Sequence, residues 1–126
     1  MTEVPLIAIV DDDEGVRTTL ASLVRSLGYE ARTYGSGVDF LQQPPGEDPA
    51  CMIADIQMPH MTGDELQARL VASGRNFPII FMTAFATEPV RQRVMAAGAH
   101  CYLDKPTSGS EIIRHLEEAL AGHAPR

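Results

Sequence analysis

Four apolar runs in this sequence of 126 residues are each followed at once by side chains able to do chemistry. The run 6–10 (LIAIV) leads into Asp11, Asp12, Asp13 and Glu14, and the run 50–54 (ACMIA) into Asp55. The run 78–82 (PIIFM) leads into Thr83, and the run 100–103 (HCYL) into Asp104, Lys105 and Pro106. Two carboxylates about 4 to 5 Å apart repel by roughly 3 to 4 kcal/mol at an effective dielectric of about 20. A fold that gathers these ends therefore needs a cation between them. Carboxylate oxygens are hard ligands and favour Mg²⁺, which keeps several waters and completes its shell with phosphate oxygens. A lysine opposite supplies a point charge for a phosphoryl oxygen, and a threonine hydroxyl supplies a neutral donor. Together these residue types point to phosphoryl chemistry on an aspartate.

The elements that must position them are legible from periodicity. Continuous apolar runs of four or five residues, as opposed to alternating ones, predict strands buried on both faces of a parallel sheet. A weaker strand is expected over 30–34, where Ala31 and Thr33 alternate with Glu30 and Arg32. Between the strands the period becomes helical. Val16, Leu20, Leu23, Val24 and Leu27 form one stripe that Gly28 stops. Thr62 with Glu65, and Ser108 with Glu111, have the spacing of capping boxes, and Pro89 suits the start of a further helix that Gly98 ends. A short helix over 36–42 is expected to stop at Pro44 and Pro45. The resulting order, βαβαβαβαβα, predicts right-handed crossovers and a parallel sheet with helices on both faces. Ligands of such sheets bind beyond the carboxyl ends of the strands, where the four runs end.

Length and charge narrow the function. A mass of 13.7 kDa fits one domain, expected over 1–126 with a core at about 5–122. Ten Lys and Arg against 17 Asp and Glu give a net charge of -7, so a basic footprint for nucleic acid is missing and direct binding to it is not expected. No apolar run approaches the ~20 residues of a membrane span, and the start has no basic segment of the kind an export signal carries. The expected location is the cytoplasm, without membrane contact. Cys51 and Cys101 each sit in a short apolar run and are expected as free, packed thiols. No CxxC or Cys/His ligand spacing is present, which argues against zinc, and His60, His100, His115 and His123 are expected as surface or packing residues.

The segments IVDDDEGVR, MIADIQMPHMTG, IIFMTA and CYLDKP, in this order and spacing, make the chain similar to the receiver domain of two-component response regulators from about Pro5 to Gly122. The MPHMTG segment resembles the NarL/FixJ-like branch in particular. The resemblance implies a flavodoxin-like (CheY-like) doubly wound α/β fold, with a five-stranded parallel sheet in the order 2-1-3-4-5 and five helices. It implies that Asp11 and Asp12 are the acidic pair, Asp55 the phosphoacceptor, Thr83 the switch hydroxyl, Tyr102 the switch aromatic and Lys105 the conserved basic residue. The metal would be Mg²⁺, with Mn²⁺ as the alternative, held by Asp11, Asp12, Asp55 and the main-chain carbonyl of Gln57. The implied partner is a sensor histidine kinase or phosphotransfer protein. The implied output is the face of the fourth helix, fifth strand and fifth helix, which would control a target or output domain and form a phosphorylation-dependent homodimer. Such a domain is a signalling element that assists its own phosphorylation and dephosphorylation, not an enzyme with an external substrate. A dehalogenase-like phosphatase would also use a strand-end aspartate, but it resembles DxD there, and this chain has Gln57 at the second acid's place.

Local readings complete the set. Asp13 and Glu14 suit a helix N-cap and first turn better than metal ligation, and Asp104 suits a solvated loop. The Thr83 hydroxyl is expected to donate to a phosphoryl oxygen on Asp55, an acceptor it does not have while Asp55 is free, and Tyr102 to swing from solvent toward the core when that hydroxyl moves. Many relatives carry a Gly-Asp step near where this chain has Ala86 and Thr87, and the bulky Phe85 is placed to shield an acyl phosphate from water.

Overall fold

The computed structural model describes residues 4–43 and 48–122. The expected stop at Pro44 and Pro45, and His123, lie outside the described residues. Ten elements alternate along the chain: β1 (Leu6–Val10), α1 (Glu14–Ser26), β2 (Glu30–Tyr34), α2 (Gly37–Leu41), β3 (Cys51–Asp55), α3 (Gly63–Ala72), β4 (Ile79–Thr83), α4 (Glu88–Ala96), β5 (Cys101–Asp104) and α5 (Gly109–Gly122). The strands form one sheet in the order β2-β1-β3-β4-β5, every pair parallel, as expected.

Burial explains why these runs are strands. Every residue of β3 and β4 is buried, because helices cover both faces of the sheet. One face holds Ala8, Val10, Met52, Ala54 and Phe81 against Leu66 and Leu70 of α3 and Val94 of α4. The other holds Ile7, Ile9, Ile53 and Ile80 against Leu20 and Val24 of α1 and Ile112 and Leu116 of α5. Alternate residues of each strand thus feed opposite clusters, as the period of two requires.

Strands β3, β4 and β5 each start and end one residue later than their apolar runs. The ladder outlasts the hydrophobicity, with Asp55 paired to Met82 and Thr83 paired to Asp104. Asp55 and Thr83 are therefore fixed by sheet hydrogen bonding and not carried on loops.

The helix signals act locally. Asp13 caps α1 by accepting from the Val16 N–H at 3.1 Å, and Ser36 caps α2 by accepting from the Asp39 N–H. Thr62 and Glu65 form the reciprocal capping box of α3. At α5 the box is half made: the Ser108 hydroxyl accepts from the Glu111 N–H at 3.2 Å, while the Glu111 carboxylate turns to Arg114. Pro89 lies in the first turn of α4, whose N-cap, Thr87, makes no side-chain capping bond. Helices α1, α3 and α4 stop at Gly28, Gly74 and Gly98, whose φ values of 91°, 77° and 105° suit glycine.

Candidate functional site

Parallel strands bring the carboxyl ends of β1, β3, β4 and β5 to one edge of the sheet, with Asp11 just beyond β1, Asp55 ending β3, Thr83 ending β4 and Lys105 just beyond β5. Asp11 and Asp55 are buried, at 3% and 6% exposure, whereas Asp12 is exposed. Carboxylate oxygens of all three lie within 4.8 Å of one another. The cation the repulsion demands is Lys105, whose Nζ is 3.0 Å from Asp11 Oδ2 and 3.5 Å from Asp55 Oδ2. Asp11 is fixed from two further sides. Its Oδ1 accepts from the Asp13 N–H at 2.9 Å, and its carbonyl accepts from Arg17 Nη1 at 2.7 Å. The Lys105–Pro106 peptide is cis.

The electrostatics follow from this crowding. Burial first, and the charge of Asp11 second, push the Asp55 carboxyl above its ordinary pKa, and Lys105 offsets them only in part. For Lys105 burial works to lower the pKa, but the bond to Asp11 and the charges of Asp11 and Asp55 outweigh it, so the ammonium is held charged more firmly than in water. Two buried acids face one lysine, which leaves the cluster with room for further positive charge.

Thr83 already has partners of its own. Its side chain is fully buried, and a buried hydroxyl without an acceptor is costly. The hydroxyl donates to Gln57 Oε1 at 2.8 Å and accepts from the Phe85 N–H at 3.2 Å. Beside a free Asp55 the acceptor is thus the side chain two residues past it, a partner the sequence did not point to. The Gln57 N–H itself turns back toward Asp55 Oδ1, at 3.4 Å.

Tyr102 lies on the α4 side of the sheet, away from the carboxylates. It is half-buried against the first core cluster, and its phenolic oxygen accepts from the Thr87 N–H at 3.2 Å, tying down the N-cap residue of α4. Phe85 is 71% exposed. Asp104 is exposed, and its carbonyl accepts from the Thr107 hydroxyl.

Two features were not anticipated from sequence. A Cβ at Gly63 would stand 2.3 Å from the Asp55 carbonyl oxygen, so α3 approaches the end of β3 at a distance only glycine allows. The second concerns two of the histidines, which are half-buried and pack edge to face as packing residues would. At the amino end of β5, His100 and Cys101 meet His115 of α5, with ligand atoms of all three within 4.8 Å of one another. The spacing across a strand and a helix hid this convergence, since no short Cys/His motif encodes it.

Among known proteins, a family model described as the response regulator receiver domain matches residues 7–117. The chain is 37% identical over 122 residues to the C4-dicarboxylate transport transcriptional regulatory protein DctR of Rhodobacter capsulatus, covering 94% of this chain and 61% of that protein. It is 31% identical over 125 residues to the transcriptional regulatory protein FixJ of Bradyrhizobium diazoefficiens, covering 99% of this chain and 61% of that one. The chain thus spans about three-fifths of the length of these curated relatives. The crystal structure of FixJ-N superposes with a TM-score of 0.85 at 31% identity, over 96% of each chain.

Proposed function

We propose, on the premise that this chain belongs to the response regulator receiver domain family of two-component signal transduction, that Asp55 is its phosphoacceptor and that Asp11, Asp12, Thr83, Lys105, Gln57 and Tyr102 serve that role. One observation carries the assignment: a buried carboxylate closes the central strand, gathered with two other carboxylates and facing a lysine ammonium 3.5 Å away.

In the transfer, an oxygen of Asp55 attacks the phosphorus of a phosphohistidine on a sensor kinase or phosphotransfer protein. The P–N bond breaks, and the imidazole leaves with its electron pair. Lys105 is placed to take a phosphoryl oxygen as a hydrogen-bond acceptor, and Asp11 holds that ammonium in position. Thr83 can reach the phosphoryl group only by giving up Gln57. The donor set fits a hard divalent cation, since it consists of carboxylate oxygens with no nitrogen or sulfur among them. Asp11, Asp12 and Asp55, with the Gln57 carbonyl, would hold Mg²⁺, or Mn²⁺ in its place. Bound there, the ion supplies positive charge that offsets the phosphoryl oxygens.

The output follows from Thr83 and Tyr102. When the hydroxyl leaves Gln57, the space beside β4 changes, and Tyr102 on the neighbouring strand is the side chain able to respond. The face of α4, β5 and α5 is then the surface that would dimerise or engage a target or output domain. The same reading makes residues 1–126 one receiver unit acting in the cytoplasm, promoting its own phosphorylation and dephosphorylation, with no direct contact to nucleic acid. No described helix is long and apolar enough to cross a membrane.

The test is mass spectrometry of the intact chain after treatment with a small-molecule phosphodonor and Mg²⁺. One added phosphoryl group is expected in the wild type and none in Asp55→Asn. Unchanged phosphorylation of Asp55→Asn would refute the assignment.

A further inference from the structure

We propose that His100, Cys101 and His115, with Glu118 as fourth ligand, form a second metal site, for a borderline-soft divalent cation of the Zn²⁺ type, at the end of the sheet opposite the carboxylates. His100 and Cys101 sit at the amino end of β5, and His115 and Glu118 lie one turn apart on α5. The imidazole Nε2 of His100 and Nδ1 of His115 are both 3.5 Å from a single oxygen, Glu118 Oε1. The two rings meet edge to face at 5.7 Å. Ligand atoms of the two histidines and the thiol already lie within 4.8 Å of one another.

The geometry is close to what a tetrahedral ion needs. With metal–nitrogen bonds of about 2.0–2.1 Å and a metal–sulfur bond of about 2.3 Å, neighbouring ligand atoms stand roughly 3.3–3.6 Å apart. The distances from Glu118 Oε1 to the two imidazoles already have that value, and those among the imidazoles and the thiol, within 4.8 Å, would have to shorten for all to bind one ion. A second observation points the same way. His115 Nδ1 is a buried nitrogen with no hydrogen-bond partner among the described residues, a state that native structures seldom leave unexplained. Arg114 can only donate to Nε2, so without a metal Nδ1 carries the ring proton toward Glu118 Oε1, and a metal bound at Nδ1 would displace that proton. The other ring nitrogen of His115 faces Arg114, and Arg114 also takes Glu118 Oε2, leaving Oε1 turned toward the imidazoles.

The ligand types separate this site from the acidic one. Imidazole and thiolate select zinc-like ions, whereas a set made only of oxygens selects Mg²⁺. Binding would convert the Cys101 thiol to thiolate, its proton passing to solvent, and would clamp α5 to the start of β5.

Cobalt(II) is the probe, because a thiolate ligand gives it a charge-transfer absorption that oxygen ligands do not. The 126-residue chain is titrated with Co²⁺ in saturating Mg²⁺, with circular dichroism checking the fold of each variant. The wild type is expected to develop the thiolate-to-cobalt band at one equivalent and to lose it when Zn²⁺ is added. The band should vanish in Cys101→Ser and persist in Cys51→Ser and Asp12→Ala. His100→Gln and His115→Gln should each weaken Zn²⁺ binding about tenfold or more, measured by competition for the metal. No band in the wild type, a band that survives in Cys101→Ser, one lost in Asp12→Ala or Cys51→Ser, or unchanged affinity in both histidine variants would each overturn the proposal.

Discussion

Asp55 is held as a carboxylate in a place that disfavours the charge, since burial and Asp11 together outweigh Lys105. An acid whose pKa is raised by folding binds its proton more tightly in the native state, so native stability falls as pH rises from the ordinary carboxylate value through the raised one. Asp55→Asn removes that penalty. It is expected to melt several degrees higher than the wild type at pH 7 without divalent cations, and the gain should shrink toward zero as the pH is lowered below the ordinary carboxylate range. Thermal unfolding at a series of pH values checks this, and a gain independent of pH would contradict it. The neighbouring pair of Thr83 and Gln57 carries a second prediction. Gln57→Ala leaves the O–H of a fully buried hydroxyl without its acceptor, though the oxygen still accepts from the Phe85 N–H, and the cost should be about 1–3 kcal/mol. Adding Thr83→Val removes the stranded group, so the double variant should recover much of that loss. A double-mutant cycle in urea reads the coupling directly, and simple additivity would mean that the bond contributes nothing.

At the scale of elements, α3 approaches the end of β3 that carries Asp55 more closely than a side chain at Gly63 would allow. Gly63→Ala puts a methyl 2.3 Å from the Asp55 carbonyl oxygen, so either α3 or the end of β3 must move. A loss of about 1–3 kcal/mol is expected, the usual cost of overpacking, together with slower phosphorylation by a small-molecule donor. Equilibrium urea unfolding and the rate of phosphoryl incorporation measure the two effects. Much of this architecture was readable in the chain, because strands buried on both faces must be apolar along their whole length, and the runs at β1, β3 and β4 are. Their ends were not, since pairing such as Thr83 with Asp104 continues into polar residues that hydrophobicity counts as loop. The acids and Lys105 were legible because each directly follows a run. Gly63 was not, because close approach of two backbones leaves no local pattern. Nor were the bond between Thr83 and Gln57 or the meeting of His100, Cys101 and His115, which depend on side chains facing each other across 26 and 15 positions.

Across the whole molecule, the covering helices are not held equally. Helix α1 buries Leu20, Ala21 and Val24, α3 buries Gly63, Leu66, Gln67 and Leu70, and α5 buries Ile112, Leu116 and Ala119. Helix α4 buries Val94 alone. Besides Val94 it is held by the half-buried Val90 and Met95, packed against the first core cluster, and by polar contacts: Gln67 Nε2 donates to the Val94 carbonyl at 3.0 Å, Arg93 meets Asp64 at 2.9 Å, and Tyr102 accepts from the Thr87 N–H. Exposed ion pairs contribute at most about 1 kcal/mol, so the hold on this helix rests on one fully buried valine, two half-buried side chains and two hydrogen bonds. Local opening is cheapest where apolar burial is least. Amide hydrogens of the first turn of α4 should therefore exchange with deuterated solvent well before those of α1, α3 and α5, and Tyr102→Phe should speed the exchange at Thr87 while leaving α1 unchanged. Exchange followed residue by residue by NMR decides it, and equal protection of all four helices would refute it. Should that order of exchange be found, the phenol of Tyr102 is a clasp on the start of α4, and, on the proposed role of Asp55, how often the clasp opens is a clock that a phosphoryl group on the far side of β4 would reset.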